Sequence, residues 1–223
     1  MMNIRDNIEA VRENILSAAA RSGRDASEIK LVAVSKTKPV ELIREAVDAG
    51  IADLGENKVQ ELTAKYDEIK NVNWHLIGHL QRNKVKYIAG KTALIHSVDS
   101  FELAAEINKR SAAIENVQDV LIQVNVSGEE SKFGIRPDEL KDLLARISEL
   151  EYINVKGLMT ISVNGYTPDE NRRVFSGLKE LAEKNSLKEL SMGMTHDYIE
   201  AIESGATIVR VGTGIFGKRD YSV

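Results

Sequence analysis

One pattern runs through this chain from end to end. Short apolar runs rich in β-branched residues alternate with segments of helical period. Eight runs stand out, at residues 31–34, 52–54, 74–77, 94–95, 120–126, 155–159, 190–192 and 207–211. Runs that are apolar throughout read as parallel strands buried on both faces. The intervening stripes read as helices. Ile4, Ile8, Val11 and Ile15 precede the first strand. Val40, Ile43 and Val47 follow Pro39, a residue that a first helical turn accepts, and stop at Gly50. Val59, Leu62, Tyr66 and Ile69 form the next stripe, and Val85 and Ile88 mark a helix ending near Gly90. Ser100 is placed to cap the helix of Leu103 and Ile107, and Pro137 opens the helix of Leu140, Leu143, Leu144 and Ile147. Thr167, Pro168 and Glu170 spell a capping box ahead of Val174, Leu178 and Leu181. Ile199 and Ile202 mark a short last helix. Eight alternations close a barrel, so the expected architecture is a (β/α)8 TIM-like barrel with an extra N-terminal helix. An open doubly wound sheet is the alternative.

No Pro/Gly/Ser-rich linker interrupts the pattern, and residues 1–223 are expected to form a single domain. The net charge of -4 gives no electrostatic case for a nucleic-acid partner. The absence of cysteine excludes disulfides, thiolate metal sites and thiol catalysis, and fits a reducing, cytoplasmic setting. No apolar run approaches the roughly 18 residues of a membrane span. The mixed polar and apolar N-terminus does not read as a signal peptide.

In such a barrel, sites form where strands end at the C-terminal face. Ser35-Lys36-Thr37-Lys38 follow the first strand, and Glu56-Asn57-Lys58 the second. Met159 and Thr160 end the sixth, Ser191 to Thr195 fall at the seventh, and Arg210 to Gly214 end the eighth. The last two turns are small and hydroxyl-rich, suited to a phosphate. Ser191 and Thr213 bring hydroxyls, while Gly193, Gly212 and Gly214 let backbone N–H groups approach an anion. Thr195 is expected to start a short helix whose N-terminus adds positive potential. Gly212-Thr213-Gly214-Ile215-Phe216-Gly217 satisfies the dinucleotide pattern formally. That motif needs a further helix, a further strand and an acid about 20 residues on, which do not follow. Lys36 follows an apolar strand, where partial desolvation favours the neutral, nucleophilic amine that forms imines. Lys38 reads as a solvated side chain. His75 and His79 are four apart, but strand period and Gly78 argue against a zinc pair. His96 and His196 read as hydrogen-bonded structural or site-lining residues. No Gly-x-Ser-x-Gly elbow or Walker loop occurs.

Six ordered segments are distinctive together. They are Leu31-Val-Ala-Val-Ser-Lys36, Gly55-Glu-Asn-Lys-Val-Gln60, His75-Leu-Ile-Gly-His-Leu-Gln81, Gly157-Leu-Met-Thr160, Leu190-Ser-Met-Gly-Met194, and Val209-Arg-Val-Gly-Thr213 with Ile215-Phe-Gly217. In this order they resemble the pyridoxal phosphate homeostasis protein family, also called the YggS/PROSC family, over nearly the whole chain. The resemblance implies a barrel like the N-terminal domain of alanine racemase. It also implies pyridoxal 5′-phosphate (PLP) joined as an imine to Lys36. Phosphate contacts would come from Ser191, Gly193, Gly212 and Thr213. Arg210 would face the pyridine nitrogen, Asn57 would line the ring, and Met159 completes the set expected around the cofactor. Thr195 stands where the family usually has serine.

An arginine at the ring nitrogen stays cationic and only donates, so the electron sink is weak. The resemblance therefore implies a PLP carrier, with apo PLP-dependent enzymes as recipients and little catalysis of its own. A racemase is the alternative, but it needs a second base. Tyr198 and Tyr221 are the tyrosines to consider, and no spacing supports either. A PLP-independent, imine-forming aldolase on a sugar phosphate is the other alternative. The racemase β-domain is expected to be missing, which removes one dimer interface and points to a monomer.

Overall fold

The computed structural model describes residues 3–217. Eight parallel strands pair in sequence order and close on themselves. They are β1 (Lys30–Val34), β2 (Asp53–Glu56), β3 (Asn73–Leu76), β4 (Leu94–Val98), β5 (Gln118–Gln123), β6 (Ile153–Met159), β7 (Glu189–Met194) and β8 (Ile208–Val211). β1 pairs with both β2 and β8, with Val32 opposite Asp53 on one side and Arg210 on the other. The expected barrel is therefore the observed one, and the open sheet is excluded.

The helices are α1 (Ile4–Arg21), α2 (Val40–Asp48), α3 (Val59–Tyr66), α4 (Phe101–Ala112), α5 (Leu140–Ile147), α6 (Pro168–Lys184), α7 (Tyr198–Glu203) and α8 (Thr213–Phe216). Their starts follow the side-chain chemistry. Ser100 accepts from Leu103 N–H, and Thr167 and Glu170 form a reciprocal capping box. Between β3 and β4 a six-residue 3-10 helix, Arg82–Tyr87, stands where the sequence pattern predicts an α-helix. Val85 and Ile88 are buried there, but the segment is too short to present a longer stripe.

The main core lies between strands and helices. α1 buries Ile4, Ile8, Val11 and Ile15 and packs against α2, α7 and α8. Burying an aliphatic side chain of this size contributes about 1.5–3 kcal/mol. Asn7 and Asn14 pin the same helix by donating to Ile215 O and the Tyr198 hydroxyl. Inside the barrel a small separate cluster of Val32, Leu94, Leu121, Met159 and Ile208 fills one level. His75, His96, Ser191 and Arg210 are buried polar side chains of the same strands, and Arg210 reaches the cavity described next. Among the described residues no helix is long and apolar enough to cross a membrane.

Candidate functional site

At the C-terminal mouth of the barrel is a cavity of about 430 Å³. Lys36, Asn57, Arg210, Gly212 and Thr213 line it together with His79, Phe133, Ile161, Thr195 and His196. Each arrives from the end of a strand or from a loop beside one, as this fold requires.

Lys36 sits half-buried in the turn after β1, and the turn is held from both sides. Ser35 is fully buried, and its hydroxyl donates to Glu56 Oε1 at 2.7 Å. Lys65 from α3 reaches the same carboxylate oxygen at 2.8 Å and the Ser35 carbonyl at 2.9 Å. On the other side Thr37, at the left-handed φ of 61°, donates its N–H to Glu61 Oε2 at 2.7 Å. Burial pushes the Glu56 carboxyl up, although Lys65 and Ser35 pull it down. Its second oxygen is buried with no hydrogen-bond partner among the described residues.

Asn57 is brought to the cavity by a close approach. A Cβ on Gly78 would lie 2.3 Å from Asn57 O, so only glycine lets the turn after β3 pass the turn after β2. Arg210 forms the floor. It is 3% exposed, donating to Ser191 Oγ at 2.5 Å and to Thr160 O at 3.0 Å. Burial lowers its pKa to about 10, with the Asp197 charge opposing the drop, so the guanidinium remains cationic near neutrality. Ser191 Oγ also meets His96 Nδ1 at 2.8 Å.

The expected residues divide into two groups. Lys36, Asn57, Arg210, Gly212 and Thr213 share the cavity, whereas Met159, Ser191 and Gly193 are not among its lining residues. Met159 is fully buried in the interior cluster. Ser191 lies beneath the cavity, engaged by His96 and Arg210. Gly193 has φ 89°, and a Cβ there would lie 2.5 Å from Ala201 Cβ, so it lets β7 pack closely on α7. Thr195 does not start a helix. α7 begins at Tyr198, and the Thr195 hydroxyl instead accepts from Gly212 N–H at 3.2 Å and Gly214 N–H at 3.4 Å. Lys38 is half-buried rather than fully solvated, and its ammonium donates to the carbonyls of Phe216 and Gly217 at the end of α8.

His75 and His79 diverge. His75 turns inward, and His79 stacks on Phe133 with ring centroids 4.2 Å apart. Tyr198 is buried against Asn14, and Tyr221 lies outside the described residues. The sequence pattern does not single out Phe133 and Ile161. They lie in long loops after β5 and β6, where no periodicity marks a lining residue.

A larger cavity, about 600 Å³, opens at the N-terminal mouth between Arg12, Lys30, Asp53, Glu189 and Thr207. Its polar groups are paired within the chain. Arg12 donates to Gly50 O, the Thr207 hydroxyl donates to Glu189, and Lys30 faces Asp53 at 3.7 Å.

The family described as alanine racemase, N-terminal domain, matches residues 7–220. A pyridoxal phosphate homeostasis protein from Aquifex aeolicus (strain VF5) is 47% identical over 228 residues, covering 99% of this chain and 100% of that one. This chain belongs to the pyridoxal phosphate homeostasis protein family. The Escherichia coli (strain K12) member is 41% identical over 234 residues, with 100% and 99% covered. The structure of PipY from Synechococcus elongatus PCC7942 with PLP bound superposes with a TM-score of 0.83 at 34% identity, covering 96% of this chain and 100% of that one. Alanine racemase from Clostridium difficile 630 gives a TM-score of 0.76 at 15% identity, covering 99% of this chain and 58% of that one. That likeness shows the common barrel alone.

Proposed function

We propose that this chain carries pyridoxal 5′-phosphate at the C-terminal mouth, joined as an imine to Lys36, and holds it in store for other enzymes rather than running a strong reaction of its own. The observation that carries the reading is the meeting of Lys36, Thr213 and Arg210 around one cavity of about 430 Å³. An amine, a glycine–threonine turn and a buried cation are the three donors that an aldehyde, a phosphate and a pyridine nitrogen call for. PipY, with PLP bound, supports the same reading by its likeness over the full chain.

The residues fit the cofactor. Thr213 and the backbone of Gly212 would hold the phosphate, and the long contacts from Gly212 and Gly214 to Thr195 are weak enough to be exchanged for it. Asn57 would line the ring. Met159, Ser191 and Gly193 would act from beneath, by packing and by anchoring Arg210. When bound, PLP supplies an electron sink whose strength depends on the partner of its ring nitrogen. Arg210 only donates, so facing that nitrogen it would leave it without a proton and the sink weak. A racemase also needs a second base, and Tyr198, whose hydroxyl accepts from Asn14 of α1, is not among the residues lining the cavity. The carrier is proposed to act as a monomer, delivering PLP to apo enzymes.

The test is the visible spectrum of the purified protein before and after borohydride, with the added mass located by peptide mapping. A yellow band that disappears, with the mass on the peptide holding Lys36, is the expected result. A protein that stays colourless after PLP is added would overturn the cofactor, leaving an aldolase on sugar phosphates as the reading to pursue.

A further inference from the structure

Behind the cavity floor the barrel interior carries a line of polar side chains that crosses the molecule. Arg210 on β8 donates to Ser191 on β7, and Ser191 meets His96 Nδ1 on β4. His96 Nε2 lies 2.9 Å from His75 Nδ1 on β3. His75 Nε2 lies 2.9 Å from Asp53 Oδ1 on β2. Arg210 lines the C-terminal cavity, while Asp53 lines the N-terminal one.

The chemistry of the two ends fixes the direction of every bond between them. A carboxylate at Asp53 only accepts, so His75 donates from Nε2. A neutral His75 then accepts at Nδ1, so His96 donates from Nε2 and accepts at Nδ1. Ser191 gives its hydroxyl proton to that nitrogen and accepts from Arg210. Each group in the chain is satisfied once, with both imidazoles neutral. The reverse direction needs a protonated Asp53 and places two donors on Ser191 Oγ. Burial lowers the pKa of both imidazoles, in His96 by a wide margin. Burial would raise Asp53, but His75 first, then Lys30 and the Asn73 amide, outweigh it and hold the carboxyl below its ordinary value. Asn73 also donates to the same oxygen at 3.2 Å.

We propose that Asp53, His75, His96 and Ser191 are positioning residues for Arg210, forming a one-directional hydrogen-bond chain that fixes the guanidinium at the cavity floor and ties its orientation to a carboxylate at the opposite mouth. The chain is not a proton conduit, because the guanidinium at its head keeps its protons. It begins on a cation and ends on an anion, with neutral groups between. Among the described residues no carboxylate pairs directly with Arg210, so the chain orients this buried arginine without a charged partner on the face turned to the cavity. The chain itself is independent of the cofactor. Its consequence for PLP rests on the function proposed above.

The test uses the full chain labelled with 15N-histidine and 15N-arginine, without cofactor, near neutral pH. His75 and His96, assigned by substituting each in turn, should both carry their proton on Nε2. Asp53→Ala removes the terminal acceptor. It should shift the ring nitrogens of His75 and, further along the chain, of His96, together with the Nε–H signal of Arg210. Asp53→Asn keeps an acceptor oxygen and should restore most of the wild-type pattern. A proton on Nδ1 of either ring in the wild type overturns the chain. So do unchanged His96 and Arg210 signals in folded Asp53→Ala. If Asp53→Ala does not fold, Ser191→Ala decides, because it should move His96 Nδ1 and Arg210 Nε–H together, and movement of only one overturns the coupling. Added PLP gives a separate readout, in which Asp53→Ala should displace the visible band and Asp53→Asn should not. Failure of PLP to bind wild type overturns the proposed function, while the cofactor-free spectra still decide the hydrogen-bond chain.

Discussion

The two mouths of this barrel make opposite use of similar residues. The N-terminal mouth holds the larger cavity and has Arg12, Lys30, Asp53 and Glu189 around it. Its charges are absorbed by neighbours, since Arg12 serves a backbone carbonyl and Glu189 receives the Thr207 hydroxyl. The C-terminal mouth is smaller, yet it gathers a lysine, an asparagine, a guanidinium and a glycine–threonine turn on one cavity. Volume therefore does not separate the mouths. What separates them is that strand ends at the C-terminal face leave side chains and turn amides converging on one point, while at the other face the chain enters its strands through turns that spend their polar groups internally.

The comparison can be broken in four ways. Lys36→Ala should have the largest effect. It abolishes the borohydride-fixed adduct and leaves only weak, phosphate-anchored PLP binding. An unchanged visible band in that variant would remove the lysine from the site. Gly78→Ala comes next. The added Cβ collides with the Asn57 backbone, so it should cost about 1–3 kcal/mol of stability and weaken PLP binding with it. Full affinity and stability in Gly78→Ala would show that Asn57 does not depend on this approach.

A third test concerns the polar line between the mouths. His75 and His96 are held neutral, so the unfolded chain binds protons that the folded chain refuses. Stability is then fully present above the ordinary histidine range and is lost as pH falls through it, by up to about 1.4 kcal/mol per pH unit for each ring. A melting curve series from pH 8 to pH 5 should show Tm falling on the acid side, and a flat series would mean that these rings take up protons in the fold. The smallest effect is expected at the other mouth. Glu189→Gln should change stability by no more than about 0.5 kcal/mol and leave PLP binding untouched. A loss of PLP affinity there would erase the contrast between the mouths.

Much of this is legible in the chain itself. Alternating apolar runs and helical stripes are local, and a period of two or 3.6 residues is visible without knowing what packs on it. The same holds for Thr167 and Glu170, which cap a helix three residues apart. Once the barrel is read, the position of Lys36 just after β1 and of Thr213 just after β8 follows, because the fold sends every strand end to one face. The segment between β3 and β4 departs from the expected helix because two buried residues, Val85 and Ile88, satisfy a 3-10 turn as well as an α-helix.

The roles of Ser191, His75 and His96 are not legible in this way. As a hydroxyl near a glycine, Ser191 reads as a phosphate donor. Only the closed barrel sets it 95 residues from His96 in sequence and 2.8 Å from it in space. The direction of that bond depends in turn on Asp53, two strands further round. Sequence by itself thus determined the barrel and the placing of Lys36 at the end of its first strand, because both are fixed by neighbours along the chain. Tertiary structure alone decided which polar side chains share the interior, because that depends on which strands closure brings across from one another.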